Sequence, residues 1–345
     1  MAPEAALDPP RAHGAPLARV SVRTVPEDFY VEECLGFAPA GSGAHLLLQV
    51  RKREANTAWV ARELARHAGC RSADVGYAGL KDRHAVTVQW FSVPHAARSS
   101  VQWAGFNGPG FEVLAAHPHS RKLPRGAHEG NRFRITARGV LTAPEALQER
   151  VHRIEVQGVP NYFGPQRFGR DGANLERAVD ESRALRPSER GFVLSAARSL
   201  VFNAVLAERV RSGSWAQLQA GDRAVLDGRG SHFAVEAPDA TLAARCERLE
   251  IHPSGPLWGA GALHSQGAVR TLEQRVAAEH APFCARLEGA GMRQERRSLR
   301  VAVRELSVQL QPEAVVLTFR LARGAYATAV LRELFALEDY EDSST

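Results

Sequence analysis

Four cysteines in 345 residues, none in a Cys-x-x-Cys pair, argue against a disulfide scaffold or a thiolate zinc site. Cys34, Cys70, Cys246 and Cys284 are scattered, a usage natural to a reducing compartment. The opening MAPEAALDPPRAHGAPLARV lacks the continuous apolar core of a secretory signal. No apolar run approaches the length needed to cross a bilayer, so the expectation is a soluble, cytoplasmic protein without a membrane partner. Charge of one sign is also in short supply. Lys+Arg number 44 against 38 Asp+Glu, and the net +6 permits a local polyanion-binding patch without demanding one. A P-loop is missing too. GYAGLKDR, residues 76–83, has the wrong glycine spacing, Asp where Ser or Thr is needed, and a strand-like run after it. There is no internal repeat and no low-complexity tract.

What is present is enough apolar residue, 44%, for real cores, and a length that suits two domains. Residues 18–37, 43–53 and 85–93 alternate as strands do. NTAWVARELARHAGC (56–70) predicts a helix, with Thr57 as N-cap, Val60, Leu64 and Ala68 at helical spacing, and Gly69 as the stop. NRFRITARGV (131–140) puts Phe133, Ile135 and Ala137 on one face of a strand, and a helix is expected from about Pro144. After Gln157 the texture changes to Gly, Pro, aromatic and basic residues. Residues 189–212 carry the longest helical pattern, and 300–337 return to strand, turn, strand and helix. That order predicts a discontinuous domain interrupted by an insertion.

Three stretches could carry chemistry. In GLKDRH, Asp82 stands between Lys81 and Arg83. Aspartate serves turns by bonding nearby backbone N–H groups, but cationic neighbours also favour an ionised carboxylate held for reaction. HPHSRKLPRGAHEGNRF (117–133) clusters Arg121, Lys122 and Arg125. Its His117/His119 pair has no further ligand at a supporting spacing, so no metal is expected. Asn131 and Phe133 share a strand face, where an amide can read a base edge and a ring can stack. NYFGPQRFGR interleaves Tyr162, Phe163 and Phe168 with Arg167 and Arg170. Such a mixture suits either RNA or a buried corner turned by glycines.

Taken together, AGLKDRHAVTVQW, RKLPRGAHEGNRF, VPNYFGPQRFGR and GAYATAVLREL, with PEDFYVEE, LSAARSLVFNAVLAERV and GRGSHF, resemble the TruD family of tRNA pseudouridine synthases in order and spacing from about residue 20 to 337. The resemblance implies an isomerase, an intramolecular transferase that converts uridine to pseudouridine at position 13 in the D-arm of tRNA. The implied fold is α/β of α+β type, a pseudouridine-synthase catalytic domain with a mixed, largely antiparallel sheet flanked by helices. The catalytic domain is expected over 17–156 and 301–345, an inserted TRUD domain over 157–300, and a flexible N-terminus over 1–16. Carried over by motif, Asp82 is the nucleophile, and Phe29, Asn131, Phe133 and Tyr326 fall on substrate-pocket positions. Arg23 stands where the family usually has Lys, as a partner for Asp82, and Tyr326 where many members carry Phe. Arg121, Lys122, Arg167 and Arg170 are expected to meet RNA phosphate. Substrate and product contain the same atoms, so no cofactor and no metal are expected. The partner is tRNA, with no obligate protein partner, and the chain is expected to be a monomer. Two rival readings are a pseudouridine synthase with another RNA target and an inactive RNA-binding relative; the latter should have lost Asp82.

Overall fold

A computed structural model describes residues 8–95, 102–103, 105–140, 142–180 and 186–338. The chain opens with strands β1 (Arg19–Val22), β2 (Phe29–Cys34) and β3 (His45–Arg53), then helix α1 (Thr57–Ala68). Strands β4 (Gly76–Tyr77), β5 (Val86–Pro94), β6 (Asn107–Gly108), β7 (Phe111–His119) and β8 (Gly130–Arg138) follow. Then come α2 (Pro144–Gln157), β9 (Val159–Pro160), α3 (Ala173–Val179), α4 (Pro187–Arg211), β10 (Arg223–Leu226), β11 (His232–Ala234), α5 (Ala240–Glu247) and β12 (Ile251–Leu257). Helices α6 (Gly267–Glu279) and α7 (Ala281–Gly289) precede β13 (Glu295–Ser298) and β14 (Arg300–Val301). The chain closes with β15 (Arg304–Gln311), β16 (Ala314–Ala322), α8 (Ala327–Leu334) and β17 (Ala336–Leu337).

The fold divides into two compact units. Among the described residues, one holds those of 18–144, 304–324 and 336–338; the other holds those of 8–17, 145–303 and 325–335. Contact thus groups α2, α8 and residues 8–17 with the 157–300 stretch. Of the N-terminal stretch expected to be loose, residues 1–7 lie outside the described residues. Residues 11–13 are tied down. The Ala12 and His13 N–H groups donate to the buried Glu333 carboxylate at 2.9 and 3.0 Å, and Arg11 donates to the Phe335 carbonyl at 3.2 Å.

The first unit is built on one sheet in the order β15-β16-β8-β2-β5-β3-β7-β6. Along that path only β2 and β5 run parallel; the other neighbours are antiparallel. The sheet is therefore mixed and largely antiparallel, as expected. Joining two parallel neighbours requires a crossover, and β3 and α1 supply it. Central β5 is buried on both faces over Thr87–Gln89 and Phe91–Val93. Helix α1 packs Val60, Ala61, Leu64, Ala65 and Ala68 onto Leu48, Val50, Phe91 and Val93; the alanines let the helix approach closely. Its N-cap is Asn56, whose side chain accepts the Ala58 N–H at 2.9 Å. Thr57, the cap expected from sequence, is instead the first helical residue and is buried. Asn at this position accepts as well as Thr would, which leaves the Thr57 hydroxyl for another task. Gly69 ends the helix in the left-handed region at φ 67°.

In the second unit α4 is the central helix, packed by α3, α6, α7 and β12. Its Glu189–Arg211 segment is the one described helix long and apolar enough to span a bilayer, contrary to the sequence expectation of none, and 67% of its most apolar window is buried inside the protein. A four-stranded sheet runs β11-β10-β12-β13 beside it. Tyr162, Phe163 and Phe168 are buried with Leu200, Phe202 and Trp215. The aromatic rings of NYFGPQRFGR are therefore core, and the buried-corner reading holds for them.

Candidate active site

Asp82 lies on the connection between β4 and β5, and its side chain is 47% exposed. The carboxylate pairs with the Arg23 guanidinium through Oδ2. Among the described residues it accepts no backbone N–H, so the turn-forming use of aspartate is not what this side chain does. Arg23 follows β1 with φ +64°, a left-handed conformation uncommon for a residue with a side chain. Its guanidinium also lies 4.0 Å from the centre of the Phe29 ring. One arginine thus joins the acid to an aromatic, and the strained backbone sits where such strain accompanies function.

The loop around Asp82 is held at several points by hydrogen bonds from neighbouring segments. Gln89 donates to the Gly79 carbonyl at 2.6 Å. The Thr57 hydroxyl donates to Gln89 Oε1 at 3.2 Å and accepts the Lys81 N–H at 3.1 Å. Lys81 Nζ pairs with the fully buried Glu33 at 2.9 Å, and the other Glu33 oxygen accepts the Trp90 N–H at 3.0 Å. Lys52 Nζ donates to the carbonyl of Asp82 at 2.9 Å. His84 Nε2 and the Arg23 carbonyl oxygen are hydrogen-bonded at 3.0 Å. The loop's side of these bonds is largely main chain, so its shape does not depend on the Asp82 carboxylate. Leu80, by contrast, projects from this pinned loop at 71% exposure.

Phe29 and Phe133 are 4% and 6% exposed and meet edge to face, centroids 6.2 Å apart; Phe133 also stacks on Phe319 at 5.3 Å. Register places Phe133 opposite Val31 and Asn131 opposite Glu33. Asn131 Oδ1 is buried and, among the described residues, has no hydrogen-bond partner. Buried acceptors are normally satisfied, so this one is unusual. The preceding Gly130 has a packing reason: a Cβ there would lie 2.2 Å from the Leu321 carbonyl oxygen on β16.

The structure thus joins Asp82 to Arg23, Arg23 to Phe29, and Phe29 to Phe133. Tyr326 belongs to the other compact unit, where its ring lies 6.2 Å from that of Phe163 and its hydroxyl takes a hydrogen bond from Arg167. Arg167 also donates to the Ser195 hydroxyl at 3.1 Å. Nearby Arg297 lies 4.2 Å over Phe163, and burial pushes its guanidinium down to about 10. Arg121, Lys122 and Arg170 are exposed, with Lys122 reaching the Ala73 carbonyl at 2.5 Å. Of the His117/His119 pair, His119 accepts the Ala40 N–H at 3.2 Å and stacks on Phe37.

Sequence reasoning passed over Lys52, Glu33 and Gln89 and named Thr57 only as a helix cap; together these residues hold the loop. Two of them had a signal. Phe29, Val31 and Glu33 share one face of β2, and Leu48, Val50 and Lys52 one face of β3, so each strand places an ion where its pattern calls for an apolar residue.

Comparison with known proteins bears on the whole chain. The model of the family tRNA pseudouridine synthase D (TruD) matches residues 15–177 and 171–334. A tRNA pseudouridine synthase D of Nitrosococcus oceani is 46% identical over 331 residues, covering 94% of this chain and 92% of that one. That of Methylococcus capsulatus is 46% identical over 95% of this chain and 94% of its own. That of Xanthomonas axonopodis pv. citri is 44% identical over 96% and 95%. Among solved structures, one described as a tRNA pseudouridine synthase D from Methanosarcina mazei superposes with TM-score 0.70 over 96% of this chain and 95% of that one. At 22% identity it speaks for the fold alone.

Proposed function

The chain belongs to the TruD family of tRNA pseudouridine synthases, and on that premise we propose that it isomerises uridine to pseudouridine at position 13 in the D-arm of tRNA, with the Asp82 carboxylate as the reacting group and no cofactor. The reaction breaks the N1–C1′ bond, lets the freed uracil turn in place, and joins C5 to C1′; the proton lost from C5 is matched by the one gained at N1. One carboxylate suffices, either by attack at C1′ or by removing a ribose proton to give a glycal. The observation that carries the reading is the Asp82 side chain itself. It is half exposed, paired with Arg23 over Phe29, on a loop whose main chain is fixed by other residues. The Arg23 guanidinium supplies a fixed cationic partner to the acid.

The target base must leave its stack, at about a few kcal/mol. In this reading Phe29, Phe133 and Tyr326 each act in substrate binding, and the Asn131 Oδ1, without a hydrogen-bond partner among the described residues, takes a hydrogen bond from the substrate, for which the uracil N3–H is the fitting donor. Arg121, Lys122, Arg167 and Arg170 bind phosphates.

Asp82→Asn tests the central assignment. The loop is held through the carbonyl of residue 82 and through Lys81, so the variant should fold and bind tRNA within about threefold of wild type, while its turnover falls at least about 10³-fold, as for loss of a group acting in the transition state. The assay is tritium release from C5-labelled uridine in a tRNA transcript, paired with a binding titration. Robust release by the Asn variant would return Asp82 to the role of a turn residue. Mapping pseudouridine in total tRNA from cells lacking the protein tests the position: loss at 13 is expected, and an intact position 13 points to another RNA target.

A further inference from the structure

Lys52 is 1% exposed, and among the described residues no carboxylate lies within ion-pair distance of its ammonium. It is held by carbonyls: Ala55 at 2.9 Å, Asp82 at 2.9 Å and, more distantly, Lys81 at 3.5 Å. A charge buried on neutral acceptors is expensive, and an apolar side chain would serve packing better. The backbone beneath it is rigid, since residue 52 pairs with Thr87 on β5 and Phe111 on β7.

We propose that Lys52 is a positioning residue for the reaction at Asp82, its ammonium clamping the Asp82 peptide to the β3–α1 connection at Ala55; the inference rests on Asp82 being the reacting carboxylate. The clamp fixes where the carboxylate emerges and sets a positive charge behind it. Burial, reinforced by the Lys81 cation, pushes the Lys52 amine down to about 8, while Asp82 pulls the other way. The other charged or titratable groups on the surrounding elements are paired or at the rim: Lys81 with Glu33, Asp82 with Arg23, Arg53 with Glu27 and Glu54, Glu112 with Arg51, and Arg83 and His84 on the loop.

The sign of the pH effect separates positioning from mere support. The folded pKa lies below the unfolded one, so between about 8 and about 10.5 the unfolded chain binds more protons, and this group's contribution to stability rises with pH. The clamp, by contrast, weakens in that window as the ammonium becomes a neutral amine. A rate that falls through pH 8 therefore does not come from unfolding linked to Lys52.

The experiment is single-turnover tritium release at saturating tRNA, from pH 6.5 to 9.5, for wild type, Lys52→Met, Lys52→Gln and Asp82→Asn, with thermal melts and tRNA titrations on the same preparations. Wild type should lose about tenfold in rate through pH 8, as expected when a group needed protonated titrates there. Lys52→Met should be about 100-fold slower at pH 7, without that inflection, and bind tRNA within about threefold. Lys52→Gln, a donor without charge, should fall between the two, and with the wild-type profile it carries the test if Lys52→Met does not fold. A Lys52→Met enzyme near wild-type rate, a wild-type rate that does not fall through pH 8, or a loss confined to tRNA affinity would each overturn the clamp. An active Asp82→Asn sinks the underlying reading; an inactive Asp82→Asn beside a fully active Lys52→Met sinks only this inference.

Discussion

Arg23 and Arg167 both lie against aromatic rings, but their hydrogen-bond partners differ in kind. Arg23 sits 4.0 Å over Phe29 and gives its charge to the Asp82 carboxylate. Arg167 sits 5.4 Å from Phe163 and 5.9 Å from Tyr326, and donates to two neutral hydroxyls, those of Ser195 and Tyr326. A cation already answered by a carboxylate adds little to the attraction of a polyanion. A cation oriented by hydroxyls keeps its charge to offer. The two arginines therefore differ in what they offer: one is paired with an acid, and the other, on the proposed reading, is the one held for phosphate.

Replacing Arg23 should give the largest effect on that contrast. Arg23→Met leaves Asp82 without its partner, and the single-turnover rate should fall about 100-fold, with tRNA affinity and its salt dependence little changed. Arg23→Lys keeps the charge but loses the planar fork, and should lose about fivefold. A Met variant that binds tRNA poorly yet reacts normally once saturated would place Arg23 with Arg167 and erase the distinction.

Tyr326 comes next. Its hydroxyl bonds to Arg167, which keeps a second partner in Ser195. Tyr326→Phe should therefore change the rate by no more than about twofold, while Tyr326→Ala should lose about tenfold, within the range for loss of one base-stacking ring. Equal damage from Phe and Ala would mean that the hydroxyl, and through it Arg167, takes part beyond orientation.

Much of this was legible in the chain itself. Alternation located β2, β3, β5 and β8, and motif order pointed to the family before any geometry. Asp82 and Arg23 were named as partners, and the structure pairs them. The unread part is physical in origin. Pattern reading asks where apolar residues recur, so Lys52 and Glu33 passed as ordinary polar positions, although each occupies the buried phase of its strand. Their partners come from distant segments: Glu33 reaches Lys81 and Trp90, and Lys52 reaches the carbonyl of residue 82. Such bonds leave no local spacing to find. The Thr57 cap misled for a related reason. Asn56 and Thr57 are both competent caps, and tertiary demand for a hydroxyl beneath the Lys81 N–H goes with the choice between them.

The smallest expected effects test the phosphate side of the comparison. Arg121, Lys122 and Arg170 are exposed and Arg167 is partly so. Each neutralised phosphate releases counterions, so removing one such contact should lower the steepness of log affinity against log salt by about one and weaken binding only a few fold at moderate salt. Arg167→Gln, Arg170→Gln, Arg121→Gln and Lys122→Gln should each show that small, sequence-independent loss in filter-binding titrations, with the rate at saturating tRNA held within about threefold. Lys122→Gln should lose least, because its ammonium is already held at the Ala73 carbonyl and must give up that bond to reach a phosphate. Arg23→Gln is the control: its charge is spent on Asp82, so its salt slope should match wild type while its rate collapses. A salt slope that flattens equally for Arg23→Gln and Arg167→Gln would show that both guanidiniums reach phosphate, whatever their partners in the free protein.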